Sequence, residues 1–172
     1  DGDTILNAED NCETTPNTDQ SDIDSDGIGD VCDDDVDGDT ILNAEDNCET
    51  TPNTDQSDID SDGIGDVCDE DMDGDTILNA EDNCETTPNT DQSDIDSDGI
   101  GDVCDDDVDG DTILNADDNC ETTPNTDQSD IDSDGIGDVC DEDMDGDTIL
   151  NAEDNCETTP NTDQSDIDSD GI

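Results

Sequence analysis

The feature that most constrains this chain is a strict period of 36 residues. Self-comparison divides it into repeats at 1–36, 37–72, 73–108 and 109–144, with a partial fifth at 145–172. The copies are nearly identical. Val36 and Val108 alternate with Met72 and Met144, and Asp34 and Asp106 alternate with Glu70 and Glu142, so the true unit can be a doublet. Asp117 stands where the other copies have Glu9, Glu45, Glu81 and Glu153. Copies this alike imply one structural job done many times over, in an array whose repeats need touch only their neighbours. The sequence opens at Asp1 and closes at Ile172 inside a motif, and reads as a window on a longer repeat polymer.

Such an array still needs something to hold each repeat together, and here the composition is restrictive. Of 172 residues, 61 are Asp or Glu, and none is Lys, Arg, His, Phe, Tyr or Trp. The apolar residues are scattered singly or in pairs. They cannot bury enough surface to offset a backbone ordering cost of about 1–2 kcal/mol per residue. Unaided, the chain should be disordered and held open by its own charge. Nothing in it can neutralise phosphate, which excludes nucleic acid and anionic membrane as direct ligands. No apolar run approaches membrane-spanning length, so membrane insertion is not expected.

The acids are not scattered at random. Residues 22–33 form a twelve-residue loop, here called an A loop, with Asp22, Asp24 and Asp26 at positions 1, 3 and 5, Gly27 at 6, Ile28 at 7, Asp30 at 9 and Asp33 at 12. Residues 35–46 form a B loop with the same order: Asp35, Asp37, Asp39, Ile41, Asn43 and Asp46, with Thr40 where glycine is usual at position 6. Further A loops carry Asp58, Asp60, Asp62, Ile64, Asp66 and Asp69; Asp94, Asp96, Asp98, Ile100, Asp102 and Asp105; and Asp130, Asp132, Asp134, Ile136, Asp138 and Asp141. A last one begins at Asp166, Asp168 and Asp170. Further B loops carry Asp71, Asp73, Asp75, Ile77, Asn79 and Asp82; Asp107, Asp109, Asp111, Ile113, Asn115 and Asp118; and Asp143, Asp145, Asp147, Ile149, Asn151 and Asp154. A partial one at the start supplies Asp1, Asp3, Ile5, Asn7 and Asp10.

This is the ligand order of an EF-hand loop, with Asp replacing the usual final Glu. The amphipathic helices that flank an EF-hand are missing, because Gly, Asp, Asn and Pro interrupt the chain every few residues. Calcium is a hard cation taking six to eight oxygens, and alternate Asp side chains along a tight turn can point at one centre. The position-7 carbonyl of Ile28 or Ile41 adds a ligand without a side chain. Magnesium demands stricter octahedral geometry and sheds water reluctantly, and zinc would want His or closely spaced Cys. We therefore expect at least two calcium ions per repeat. Each full repeat has thirteen carboxylates, so one ion per loop leaves a charge of −9. Carboxylates about 4 Å apart repel by roughly 1 kcal/mol in water and about 4 kcal/mol near a protein surface. That residual charge argues for further ions, up to about four per repeat, with Glu9, Glu13, Asp19 and Asp34 as spare oxygens. A merely solvated charge run would not reproduce the ligand spacing this often.

Nine cysteines alternate at spacings of 20 and 16. The regularity reads as a disulfide ladder in an oxidising setting, with each bridge contributing roughly 3 kcal/mol. Spacing alone leaves pairing across 20 and pairing across 16 both open. Between loops lies a polar connector, residues 13–21, in which Thr14, Thr15 and Thr18 flank Pro16. With its equivalents, this Thr/Pro cluster is a candidate for O-linked glycan or a Pro-fixed turn with solvated hydroxyls.

The string NCETTPNTDQSDIDSDGIGDVCD followed by DVDGDTILNAEDNC resembles the thrombospondin type 3 repeat, and the resemblance covers the whole chain. It implies an irregular fold with little regular secondary structure, a calcium- and disulfide-stabilised tandem-repeat rod. It implies bridges Cys12–Cys32, Cys48–Cys68, Cys84–Cys104 and Cys120–Cys140, with Cys156 pairing beyond the window. It also lends Asn17 and Asp19 a ligand role. Thr40, the missing Lys and aromatics, and the near-identity of the copies depart from the family's pattern.

Two classes of function follow. The first is structural: the shaft of an extracellular fibre of identical chains, or the stalk of a cell-surface adhesin, stiffened by ions and disulfides. The second is a high-capacity calcium reservoir or mineral-nucleating protein, with dissociation constants on the order of 0.1–1 mM. The disulfide ladder favours the first, since a buffer needs no fixed shape. An enzyme is not expected, because no His, Lys, Arg or Tyr is available as a base or nucleophile.

Overall fold

The computed structural model describes residues 2–165. The chain divides into two compact units, Asp1–Thr90 and Asp91–Ile172, and the same local architecture recurs in each. Among the described residues the single regular element is a 3-10 turn at Asp30–Cys32. Everything else is turn, bend and irregular chain. The protein is an irregular, disulfide-stabilised tandem repeat. Asp and Asn side chains take the backbone N–H groups that a helix or sheet would otherwise use.

The two loop types share one hydrogen-bond scaffold. In the A loop, Ile23 N–H donates to Asp30 Oδ1 (2.9 Å) and Gly27 N–H donates to Asp22 Oδ2 (3.2 Å). Asp26 and Ile28 N–H close tight turns onto Asp24 Oδ1 (3.1 Å) and Asp26 Oδ1 (2.7 Å). In the B loop, Val36 N–H donates to Asn43 Oδ1 (2.9 Å) and Thr40 N–H to Asp35 Oδ2 (3.2 Å). Asp39 and Ile41 N–H close onto Asp37 Oδ1 (3.1 Å) and Asp39 Oδ1 (2.7 Å). Position by position the donors and acceptors correspond.

Both loops also pass through the left-handed region at positions 4 and 6. The A loop does so with Ser25 (φ 63°) and Gly27 (φ 97°), the B loop with Gly38 (φ 72°) and Thr40 (φ 83°). Each loop has glycine at one of the two positions, and the choice is reversed between them. The threonine at a glycine position is therefore a strained residue in an otherwise conserved path. The same Thr recurs at Thr4, Thr76, Thr112 and Thr148 with φ between 80° and 82°. A β-branched residue there costs about 1–3 kcal/mol, partly offset in a glycine variant by about 0.5–1 kcal/mol of extra unfolded-state entropy. Replacing Thr40 and its equivalents by Gly should raise stability by roughly 0.5–2 kcal/mol per loop. Denaturant titration of the calcium-loaded protein checks this, and a lower midpoint would contradict the strain assignment.

The connector is tied to the loop that follows it and to the loop before it. Disulfides join Cys12 to Cys32, Cys48 to Cys68 and Cys120 to Cys140, and Cys84 and Cys104 are also disulfide-bonded. Cys156 has no disulfide partner among the described residues. Gly29 of the A loop presses on this staple: its N–H donates to Asn11 O (3.0 Å), and a Cβ there would lie 2.7 Å from Cys12 Sγ. The connector folds over a cluster of amides. Asn17 Nδ2 donates to Asn11 Oδ1 (2.5 Å), Gln20 Nε2 donates to Asn17 Oδ1 (2.8 Å), and Asn11 N–H donates to Gln20 Oε1 (2.9 Å). Towards the preceding B loop, Asn17 N–H donates to Asp3 Oδ2 (3.0 Å) and Gln20 Nε2 to Asp10 Oδ1 (3.0 Å).

The usual distribution of polar and apolar residues is inverted. The buried apolar side chains among the described residues are cysteines, Val36 and Val108. Buried beside them are Asp37, Asp39, Asp73, Asp75, Asp109, Asp111, Asp145 and Asp147, while Leu42, Ile23, Ile28 and Val31 are exposed. A fold that exposes its leucines and buries its aspartates is not held by the hydrophobic effect.

Candidate metal centre

Each loop brings its position-1, -3 and -5 aspartates to one point. Oxygens of Asp22, Asp24 and Asp26 lie within 4.8 Å of one another, as do those of Asp35, Asp37 and Asp39; Asp58, Asp60 and Asp62; Asp71, Asp73 and Asp75; and Asp94, Asp96 and Asp98. Three more such groups occur among the described residues. The tight turns explain the convergence. The aspartates at positions 3 and 5 use Oδ1 to hold the N–H two residues on, and the position-1 aspartate holds the position-6 N–H through Oδ2, which turns alternate side chains to the same side of the chain.

The two loops differ in depth. Asp37 and Asp39 are buried and Asp35 half-buried, whereas Asp22 and Asp24 are half-buried and Asp26 is exposed. Several carboxylate oxygens are left inside with no hydrogen-bond partner. These are Oδ1 of Asp22, Asp35, Asp58, Asp71, Asp107 and Asp143, and Oδ2 of Asp10, Asp37, Asp73, Asp109 and Asp145. Buried carboxylate oxygens without a partner are costly, and a cation beside them would offset that cost. The donor set is all oxygen, and its orphaned atoms sit at loop positions 1, 3 and 12. These residues fit a hard divalent cation.

Position 3 is the focus of the field. Burial raises the carboxyls of Asp37, Asp73, Asp96, Asp109, Asp132 and Asp145 above the ordinary range, with neighbouring carboxylates adding to it. At Asp24 and Asp60 a backbone N–H from Asp26 or Asp62 pulls downward, but desolvation and negative neighbours outweigh it and the carboxyls are again raised. Asp3 is lowered, because Ile5 and Asn17 N–H groups both donate to it. A carboxyl raised in the fold disfavours the ion-free folded state at neutral pH, and that penalty disappears as pH falls below its unfolded value. Acidification from neutral pH should therefore increase the compaction of the calcium-free chain. The same acidification should release ions from the loaded chain, because proton and cation compete for the same oxygens. Parallel scattering and calcium-electrode titrations test both arms. Parallel behaviour of the two forms would contradict the competition.

The remaining expected ligands fall as follows. Asp30 at position 9 accepts from Ile23 N–H through Oδ1, and Asn43 at the same position spends Oδ1 on Val36 N–H and donates Nδ2 to Asp33 O (2.9 Å). Position 12 caps the chain beyond the loop: Asp33 Oδ1 accepts from Asp35 N–H (2.9 Å), and Asp46 Oδ1 from Cys48 N–H (2.9 Å) and Gln56 Nε2 (2.7 Å). Asn17, buried to 5 % exposure, is the centre of the amide cluster, and Asp19 is exposed. The other spare acids, Glu9, Glu13 and Asp34, are also exposed. Thr14 and Thr18 are exposed and Thr15 half-buried. Asp1, Asp166, Asp168 and Asp170 lie outside the described residues.

Sequence reasoning gave no role to Asn11 and Gln20, which position both the connector and the position-12 carboxylate. The available signal was chemical: amides both donate and accept, and in a chain of acids they are the side chains able to build a closed hydrogen-bonded cluster.

Comparison with known proteins bears directly on this geometry. No curated protein of similar sequence is found. The thrombospondin type 3 repeat profile matches residues 1–20, 21–56, 57–92, 93–128 and 129–164 in unbroken succession. Each full matched segment starts at a serine and holds one A loop, one B loop and the connector that closes over it. Repeats of this kind are extracellular, disulfide-stabilised and calcium-binding, and the family is structural rather than enzymatic. Its profile covers nearly the entire chain, over a fold of disulfide-stapled acidic loops: the protein belongs to the thrombospondin type 3 repeat family.

Proposed function

We propose that the chain is the calcium-stiffened shaft of an extracellular fibre or surface stalk. The observation that carries this reading is the aspartate triad of the B loop, with its third- and fifth-position members buried, repeated with one geometry in nearly identical successive copies. Bound calcium supplies positive charge and a multidentate centre where an ordinary domain has apolar side chains. The chain supplies Asp35, Asp37, Asp39 and Asp46 in the B loop and Asp22, Asp24, Asp26, Asp30 and Asp33 in the A loop, with the backbone carbonyls of Ile41 and Ile28. The repeat boundaries counted from Asp1 and two to four ions per repeat belong to the same reading. Identical chains are the partners, and Thr14 and Thr18, exposed on the connector, are the places for glycan.

A reservoir of loosely held ions is favoured less, because disulfides at Cys12, Cys48, Cys84 and Cys120 staple the connectors that follow them and the amide cluster fixes their path. Scattering across a calcium titration separates the two. The shaft reading expects a persistent, stiff particle at saturating calcium. A chain that stays flexible while binding the same number of ions would establish the reservoir instead.

A further inference from the structure

The A and B loops share a scaffold but not an environment. The B loop is closed by the connector that follows it: Asn53 N–H donates to Asp39 Oδ2 (2.8 Å), and the contact recurs from Asn89 to Asp75 (2.8 Å) and from Asn125 to Asp111 (2.6 Å). The connector is locked in turn by Asn53 Nδ2 on Asn47 Oδ1 (2.6 Å) and Gln56 Nε2 on Asp46 Oδ1 (2.7 Å). Beneath it Asp37 is 6 % exposed and its Oδ2 has no partner; the same is true of Asp73, Asp109 and Asp145 at 4–5 %. Among the described residues no connector N–H donates in this way to an A-loop carboxylate, and Asp26 and Gly27 are exposed.

We infer that the connector is a lid on the preceding B loop, so that each repeat carries two exchange classes of cation. The inference rests on the calcium reading above. A B-loop ion keeps few waters and leaves only when the Asn53–Asp39 bond and the amide lock behind it open. An A-loop ion keeps more waters and leaves directly. When calcium falls, the A loops empty first, and each repeat keeps the B-loop ion that lies between two disulfide-stapled connectors. The lid sets where the array loosens before it unfolds.

Europium on the full chain reads this directly, since no aromatic residue is present to interfere with its emission. Lifetimes in light and heavy water give the coordinated waters. The expected result is two populations of similar size, the drier one released by excess chelator roughly ten-fold or more slowly, the factor expected when a few ordinary hydrogen bonds must open first. Replacing Asn11, Asn47, Asn83, Asn119 and Asn155 by Ala, which removes the lock without removing a ligand, should accelerate the slow release toward the fast one. Should that variant fail to fold, Asp26→Asn in every A loop serves instead: it should weaken the wetter, faster population alone. Saturable binding with one hydration state and one release rate would overturn the lid while leaving calcium binding intact. Absence of binding by europium and calcium alike would overturn both.

Discussion

Chelation of calcium should abolish the fold while leaving the disulfides in place. Eleven buried carboxylate oxygens among the described residues have no protein partner, and each unsatisfied buried polar atom costs about 1–3 kcal/mol, with charged ones at the upper end or beyond. Their combined cost exceeds the roughly 5–15 kcal/mol by which an ordinary domain is stable. No apolar core offsets it, since the leucines and most isoleucines face solvent. Stripped of cations, the chain should lose amide protection everywhere except inside the disulfide loops and should expand by scattering. Proteolysis must be read with an enzyme that cuts at acidic residues, since the chain has no Lys or Arg. Resistance to such an enzyme should vanish on chelation and return when calcium is restored. A chelated chain that kept its protection would show that something other than cations offsets the buried charge.

The second large effect is expected at one glycine. Gly38 lies at φ 72°, and a Cβ there would stand 2.7 Å from Asp24 Oδ2 and 3.0 Å from Asp24 Cβ. It is the point at which the B loop backs onto the third-position aspartate of the A loop. Gly27 also has positive φ, 97°, but a Cβ there would meet nothing within 4 Å. Alanine at Gly27 should therefore cost only backbone strain, about 1 kcal/mol. Alanine at Gly38, Gly74, Gly110 and Gly146 adds the displacement of an A-loop ligand, for about 2–4 kcal/mol per site and a loss of bound calcium per repeat. Calorimetric stoichiometry of the two variant arrays distinguishes them. Equal losses would mean that the loops are energetically independent.

Much of this was legible in the sequence, for physical reasons that can be named. Ligand spacing in a tight turn is dictated by side-chain direction, so the convergence of Asp22, Asp24 and Asp26, or of Asp35, Asp37 and Asp39, could be read from alternation alone. The near-absence of helix and sheet among the described residues followed from composition. What could not be read was depth. The A and B loops have almost the same pattern, yet among the described residues the connector covers the B loop, because the covering groups are its backbone N–H donors and amides. Asn17 and its equivalents carried a ligand role by resemblance alone; the structure shows where their side chains are spent. Thr40 stood out in the sequence as a missing glycine, but the compensating Gly38 two positions earlier became visible only in the backbone angles.

The central claim is that cations take the place of a hydrophobic core. A density map of the folded array in calcium, at a resolution that separates ions from water, tests it most directly. The account predicts cation density between the carboxylates of Asp35, Asp37 and Asp39, and of Asp22, Asp24 and Asp26, repeated in successive copies along the chain. Ordered loops of this geometry with water or empty space among those carboxylates would contradict it.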